Sequence, residues 1–292
     1  MILPGRDMSW KDFGRDLYHE ADRDHLLDFA GSVAFSAFLA VFPFLLFAVA
    51  LASLVIDPTT LTTLIDQIRR VAPPGVADLL ADRLRALTTG TPPAVLTVGG
   101  LGALWAASSA IAALTTALDS AYDVEETRPF WKTRGMALLI TLAGSIFVVA
   151  ATAIAVAAPA VAHHLGGPVG TLVLWLRWPV AALIMAFVLA CLYYFLPDVE
   201  QSFRFITPGS LVAVVLWVLA SLGFSLYVGH VAGYEVVYGA LGSVIVLMLW
   251  MWISALAVLL GAEINAVLEH RAPEGKRTLA ETGPDVPKSA KS

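Results

Sequence analysis

The strongest candidates for chemistry in this sequence are a carboxylate and an amide near the end of its last apolar stretch. Residues 241–260 carry no charge, and Glu263 and Asn265 follow within the same run. At about 1.5 Å per helical residue, Glu263 lies about 33 Å from residue 241, at the edge of a bilayer's hydrocarbon core. These side chains either cap a helix bundle through polar contacts or form a site for a proton, an ion or a lipid head group.

A second group of polar residues follows the second apolar stretch. Asp119 precedes a loop that mixes acids with the bases Arg128 and Arg134. Such a loop is either a solvated connector with basic membrane anchors or a surface that contacts anionic lipid head groups. Because Glu263 is predicted at the same side of the membrane, we hypothesise that it pairs with Arg128 or Arg134.

Two further positions stand out beside the apolar stretches. Pro43 lies in the middle of the first one. Because proline removes a backbone donor and clashes with the preceding turn, it predicts either a kinked, tilted helix or a functional hinge. Glu235 lies between Tyr234 and Tyr238, and is either an interfacial acid beside an aromatic belt or a substrate gate.

Composition places the chain in a membrane and excludes several functions. The 292 residues are 58% hydrophobic and only 14% charged, whereas a soluble domain carries about 25% charge. Cys191 is the single cysteine, so an intrachain disulfide and a cysteine metal cluster are excluded. The histidines are scattered, so we expect no metal, no cofactor and no ribonuclease activity. The pI near 5.6 gives no sign of a nucleic-acid partner.

Six apolar stretches are long enough to cross a bilayer, and each must be helical because lipid offers the backbone no hydrogen-bond partners. The predicted fold is an all-α integral membrane protein, a bundle of six transmembrane helices. The predicted spans are residues 30–56, 94–118, 136–162, 174–196, 206–229 and 240–268.

The segments outside the spans receive separate predictions. Residues 1–28 form a cytoplasmic segment whose Trp10, Phe13 and Leu17 share one face of a short interfacial helix. Residues 57–93 form an outer loop of two amphipathic helices, arranged as a hairpin. Residues 272–292 form a disordered tail. Most lysines and arginines fall on one side of this topology, which predicts that both termini are cytoplasmic.

Three blocks of the sequence resemble the YihY/BrkB family of bacterial inner-membrane proteins. They are SVAFSAFLAVFPFLL at residues 32–46, LWAASSAIAALTTALDSAYDVEETRPFWKTRGMALLIT at 104–141, and the region from YYFLPDVE to the end of the last span at 193–271. The resemblance implies six transmembrane helices and the inner membrane. Members carry the label ribonuclease BN, which is widely regarded as a misassignment. Asp119 stands where the family often has asparagine.

The predicted function is transport or translocation of lipid or another amphiphile, with membrane lipids as partners. Two alternatives remain open: a non-transporting envelope scaffold that binds other proteins, and a membrane enzyme that acts on lipid. Transport requires a continuous cavity between the spans that reaches polar residues such as Asp119 or Glu263. We expect no catalytic residues, and the sequence leaves the oligomeric state open, a homo-oligomer included.

Overall fold

Long helices make up nearly all of the structure. The computed structural model describes residues 9–52, 93–201, 205–230, 240–270 and 277–278. The helices in these ranges are α1 (Trp10–Arg23), α2 (Leu26–Ala52), α3 (Pro93–Ala121), α4 (Phe130–Leu165), α5 (Gly167–Phe195), α6 (Pro208–His230) and α7 (Ala240–His270). The predicted outer hairpin at 57–93 and Glu235 lie outside the described residues.

Several of these helices are long and apolar enough to cross a membrane. Four segments qualify by themselves: Gly100–Ala121, Phe130–Ala150, Pro208–Val228 and Val244–Glu269. A fifth span arises if α1 and the first part of α2, which are bent by 59° relative to each other, are counted together. The apolar segment Pro179–Phe195 of α5 is shorter. These segments confirm a multi-pass helical membrane protein. The described residues contain four or five such spans, so they do not confirm the predicted count of six.

Local residues mark where the first two helices begin and end. Ser9 caps α1, since its side chain accepts a hydrogen bond from the Lys11 backbone. Asp24 and His25 separate α1 from α2, and His25 has a positive φ of 49° that turns the chain. Helix α2 continues through Pro43 to Ala52, so the proline does not end it.

A short antiparallel strand pair departs from the all-α prediction. Val199–Glu200 (β1) pairs with Arg277–Thr278 (β2), with Val199 opposite Thr278. Residues 277 and 278 lie in the tail that the sequence predicts to be disordered, and the rest of that tail is outside the described residues. Because the pairing joins segments far apart in sequence, no local pattern indicates it.

The chain divides into two compact units. Unit 1 comprises Met1–Ala34, Ala113–Lys132 and Ala182–Ser292, and unit 2 comprises Phe35–Ala112 and Thr133–Ala181. Helices α6 and α7 belong to unit 1, whereas α2 to α5 contribute residues to both. Many large apolar side chains are exposed along the long helices, as expected of surfaces that face lipid.

Helix α7 is the element of unit 1 on which other helices pack. Phe13 and Leu17 of α1 pack against Ile264 and Leu268 near its end. The Trp252 indole donates a hydrogen bond to the Leu27 carbonyl of α2 at 3.3 Å. Helix α1 lies where the sequence predicts an interfacial helix. Its Phe13 and Leu17 contact α7, whereas Trp10 is exposed. The position of α1 in the membrane interface stays a prediction.

Candidate functional site

The start of α6 is built by a local capping motif. Thr207 Oγ1 accepts a hydrogen bond from the Ser210 backbone N–H at 3.1 Å. Ser210 Oγ in turn accepts one from the Thr207 backbone N–H at 3.0 Å. This reciprocal pair is a capping box with serine in the third position, and Pro208 suits the first helical turn because it has no N–H to satisfy. The motif fixes where α6 begins beside α7.

Two glycines bring α6 and α7 into backbone contact at this point. A Cβ added to Gly209 would lie 1.9 Å from the Gly261 carbonyl oxygen. A Cβ added to Gly261 would lie 2.5 Å from the Tyr193 hydroxyl and 2.7 Å from the Ala213 Cβ. No other residue type fits either position without moving a helix, as expected for close helix packing in membranes.

Asn265 links the two helices through its side-chain amide. Its Oδ1 accepts a hydrogen bond from the Gly209 N–H at 2.9 Å, and its Nδ2 donates to Thr207 Oγ1 at 3.0 Å. The Gly209 N–H is one of the helix-start donors that lack an intrahelical partner. A further hydrogen bond joins Asn265 to the Tyr122 side chain. The Asn265 amide therefore bridges the start of α6 and the end of α7, and both of its predicted roles stay predictions.

Glu263 is fully buried in unit 1. Only 1% of its surface is exposed, and Tyr122 and Tyr193 in the same unit are buried to the same extent. Burial raises the pKa of the Tyr122 hydroxyl, and the negative charges of Glu269 and Glu263 raise it further. Tyr193 donates a hydrogen bond to the Val258 carbonyl of α7 at 2.6 Å. Glu263 is thus a buried carboxyl on a helix against which several others pack.

Asp119 belongs to a separate cluster that includes an acid not identified from the sequence. Its Oδ1 accepts a hydrogen bond from the Asp198 backbone N–H at 2.9 Å. Asp119 Oδ2 is buried and has no hydrogen-bond partner among the described residues. The Asp198 side chain is itself buried, and its Oδ2 accepts from the Thr127 backbone N–H at 2.9 Å and from Thr127 Oγ1 at 2.5 Å.

Arg128 completes this cluster. Its Nε and Nη2 donate to the two carboxylate oxygens of Glu126, each at 2.7 Å, and Nη2 also donates to the Leu196 carbonyl at 2.7 Å. Its Nε lies 3.7 Å from Asp198 Oδ1. Burial opposes the charged guanidinium, but the hydrogen bonds to Glu126 and the negative charges of Glu126, Asp198 and Asp119 prevail and raise the pKa of Arg128.

Arg134 occupies a different place, in unit 2. Its Nη2 donates to the Trp105 carbonyl at 2.6 Å, and its guanidinium carbon lies 4.2 Å from the centre of the Trp105 ring. The contacts of Arg128 and Arg134 that we describe thus go to residues other than Glu263. The hypothesis that Glu263 pairs with one of them stays a prediction.

A third group of acids lies around the end of α1. Ligand oxygens of Glu20, Asp24 and Asp123 lie within 4.8 Å of one another, a spacing that a metal ion can bridge. The Arg23 guanidinium forms ion pairs with Asp123, with Glu20 at 2.6 Å and with Asp24 at 3.3 Å. Arg23 supplies a positive charge within this group, so we assign no metal to it.

Sequence reasoning missed Asp198, Thr127 and the two buried tyrosines. Asp198 follows directly after a predicted span, in Leu196-Pro197-Asp198, a position that usually faces water. Its role depends on Thr127, which lies in a distant loop. The sequence shows only an acid next to a proline at the end of a span. That pattern is a weak indication of a site when the hydrogen-bond partner of the acid is not known.

Fold and site together define a multi-pass helical membrane protein with ionisable residues inside its helical units. The sequence profile of the family described as Virulence factor BrkB matches residues 17–285. The chain therefore belongs to the BrkB family, which confirms the resemblance.

Curated relatives agree with this assignment. One from Bacillus subtilis, named as a ribonuclease-like protein YfkH, is 31% identical over 265 residues, covering 89% of this chain and 94% of its own length. A UPF0761 membrane protein of Pseudoalteromonas translucida is 42% identical over 77 residues, 26% of each chain. Another, from Chromobacterium violaceum, is 40% identical over 87 residues, covering 30% of this chain and 21% of its own. No solved structure gives a significant match.

Proposed function

We propose that this protein translocates lipid or another amphiphile across the bacterial cytoplasmic membrane. In this proposal the chain crosses the membrane six times, with α2 to α7 as the spans and both termini in the cytoplasm. Helix α5 is counted because Gly167–Phe195 is long enough to cross, although its most apolar part, Pro179–Phe195, is shorter than the other spans.

The observation that carries the proposal is the burial of Glu263. It is 1% exposed and lies within Val244–Glu269, a segment able to cross a membrane. Removing a carboxyl from water is costly, so ionisable residues inside membrane proteins are rare and mark pathways for protons, ions or substrates. A residue with only a packing role has no need of an ionisable group at this position.

The surroundings of Glu263 suit a site that changes state. Tyr122 and Tyr193 are buried in the same unit and carry hydroxyls, and Asn265 lies two residues further along α7. Because α1, α2, α5 and α6 all contact α7, a change in the charge of Glu263 acts on the helix that these elements share. In this proposal Glu263 binds a proton, a cation or a polar head group as the amphiphile crosses.

The proposal includes no catalytic reaction. The name ribonuclease-like belongs to the relative from Bacillus subtilis and assigns no chemistry to this chain. The described acids instead contact backbone donors, threonine and arginine, as Asp119 and Asp198 do. A non-transporting scaffold is the alternative, and the experiment below separates it from translocation.

Purified protein in liposomes provides the test. Fluorescently labelled phospholipid is placed in both leaflets, and a membrane-impermeant reductant bleaches the label that reaches the outer leaflet. With the wild-type protein, we expect bleaching of more than the half of the label that starts in the outer leaflet. Glu263→Gln should exchange lipid at least about tenfold more slowly, because a residue that cannot ionise no longer interacts differently with the two states of the protein. Glu263→Asp should retain part of the activity.

The control variant is Glu125→Gln, which makes the same chemical change at an exposed loop position. It should match the wild-type protein. Thermal unfolding of each variant shows whether lost exchange reflects lost folding. If wild-type protein leaves lipid distribution as empty liposomes do, the scaffold alternative is favoured. If Glu263→Gln exchanges lipid at the wild-type rate, Glu263 has only a structural role.

A further inference from the structure

Arg134 is a guanidinium held in a fixed position on an apolar unit. Its Nη2 donates to the Trp105 carbonyl at 2.6 Å, and its guanidinium carbon lies 4.2 Å from the Trp105 ring centre. A cation over an indole face gains electrostatic attraction, and the carbonyl hydrogen bond fixes its direction. These two contacts orient the side chain, and neither of them supplies an anion.

No carboxylate compensates this charge within the described part of its unit. Residues 35–52, 93–112 and 133–181 contain no aspartate or glutamate. Arginine cannot lose its proton in proteins, so Arg134 stays charged although it lies within the span Phe130–Ala150. Charged residues in such segments usually pair with another group. The described residues of this unit therefore offer no acid as that partner, and an anion from outside the chain can take its place.

Two hydrogen-bond donors beside this charge are also unused. Arg134 Nε is buried and has no hydrogen-bond partner among the described residues, and the same is true of Thr133 Oγ1. A buried donor without a partner costs about 1–3 kcal/mol, so such groups usually bind something. A guanidinium edge and a hydroxyl from adjacent residues both donate to oxygen. Oxyanions such as a phosphate group accept hydrogen bonds from donors of both types.

We propose that Arg134, Thr133 and Trp105 bind the phosphate group of a membrane phospholipid. Two features favour a lipid over a free anion. Arg134 is the fifth residue of α4, about 6 Å from the helix start and so near the depth of the head groups. The same unit exposes Leu101 and Leu139 by 66% each, a surface that suits acyl chains. The proposal for this site uses residues other than Glu263 and does not depend on the proposed function.

Lipid binding to the purified, detergent-solubilised protein tests the proposal. Native mass spectrometry with phosphatidylglycerol as the probe measures the fraction of protein that carries one lipid. We expect Arg134→Gln to weaken binding about tenfold or more, as for loss of a charge-assisted hydrogen bond. Arg134→Lys keeps the charge but loses the planar fork and should weaken binding less. Thr133→Val, similar in volume, should lose affinity without loss of charge.

The matched control is Lys132→Gln, which removes one positive charge from an exposed position two residues earlier on α4. It should bind phosphatidylglycerol as the wild-type protein does. An equal loss in Lys132→Gln would overturn the proposal in favour of general surface attraction. Undiminished binding by Arg134→Gln, provided that it unfolds at the wild-type temperature, would overturn it as well.

Competition identifies the source of the phosphate. Diacylglycerol, which has acyl chains but no phosphate, should not displace phosphatidylglycerol. Inorganic phosphate at millimolar concentration should displace little, because it has no acyl chains to occupy the apolar surface. Full displacement by inorganic phosphate would contradict a lipid site and indicate a site for a soluble anion instead.

Discussion

Asp198 and Asp119 each use one carboxylate oxygen in hydrogen bonds. Asp198 Oδ2 accepts from Thr127, whereas Asp198 Oδ1 lies 3.7 Å from Arg128 Nε and has no hydrogen-bond partner among the described residues. Asp119 uses one oxygen for the Asp198 backbone, and its other oxygen is buried without a hydrogen bond among the described residues. Asp198 therefore has the contacts of a structural residue that ties the loop after α3 to the end of α5.

Replacement of Asp198 tests this structural role. Asp198→Ala leaves the Thr127 N–H and hydroxyl without their acceptor, and we expect a loss of about 1–3 kcal/mol in unfolding free energy. Asp198→Asn keeps an oxygen that accepts from Thr127, so it should lose less. Thermal unfolding in detergent provides the measurement, with Glu125→Gln as the exposed control. Equal stability of Asp198→Ala and wild type would contradict the role.

At the scale of elements, α6 and α7 are in very close contact where they cross. Among the described glycines, only the two at this crossing have no room for an added Cβ. Gly209 and Gly261 let the two backbones meet, and the amide of Asn265 bridges them. Further along the pair, the Trp217 indole donates to Ser254 Oγ at 3.0 Å. Contact therefore extends from the capped start of α6 along its length.

Alanine substitution in α6 should distinguish the crossing from the rest of the helix. Gly209→Ala forces a methyl group into the Gly261 carbonyl, so we expect destabilisation of about 1–3 kcal/mol or more. Gly223→Ala, in the same helix with nothing within 4 Å of the added Cβ, should be neutral or stabilise by about 0.5–1 kcal/mol. Thermal unfolding of both variants provides the measurement. Similar effects of the two substitutions on stability would contradict a specific role for the crossing.

At the scale of the whole molecule, the number of spans depends on α5. The loop after α3 and the segment between α6 and α7 are separated by α4, α5 and α6. Since α4 and α6 each contain a segment able to cross by itself, these two connections lie on opposite sides of the membrane only if α5 crosses as well. Membrane topology is therefore a direct test of the six-span proposal and of its orientation.

Cysteine labelling provides this test, since Cys191 is the single native cysteine. In a Cys191→Ser background, a membrane-impermeant maleimide added to intact cells should label Glu235→Cys. It should label Glu125→Cys only after the cells are permeabilised. The reverse pattern would place the termini outside. Labelling of both positions from one side would show that one of the three helices does not cross.

The sequence by itself determined the helices, because long apolar runs in lipid have no other way to satisfy their backbones. The predicted span at 206–229 and the observed helix Pro208–His230 agree almost residue for residue. The sequence also identified candidate polar residues. Glu263, Asn265 and Asp119 depart from apolar surroundings, and Arg128 and Arg134 are bases of the loop after the second apolar stretch.

Only the tertiary structure decided which partners these residues have. Asn265 binds the start of α6, Asp119 binds the Asp198 backbone, and Arg134 lies over Trp105. None of these partners lies within one helical turn in the sequence, so no periodic pattern indicates them. Helix formation follows from local composition, whereas the pairing of polar groups depends on how distant helices pack.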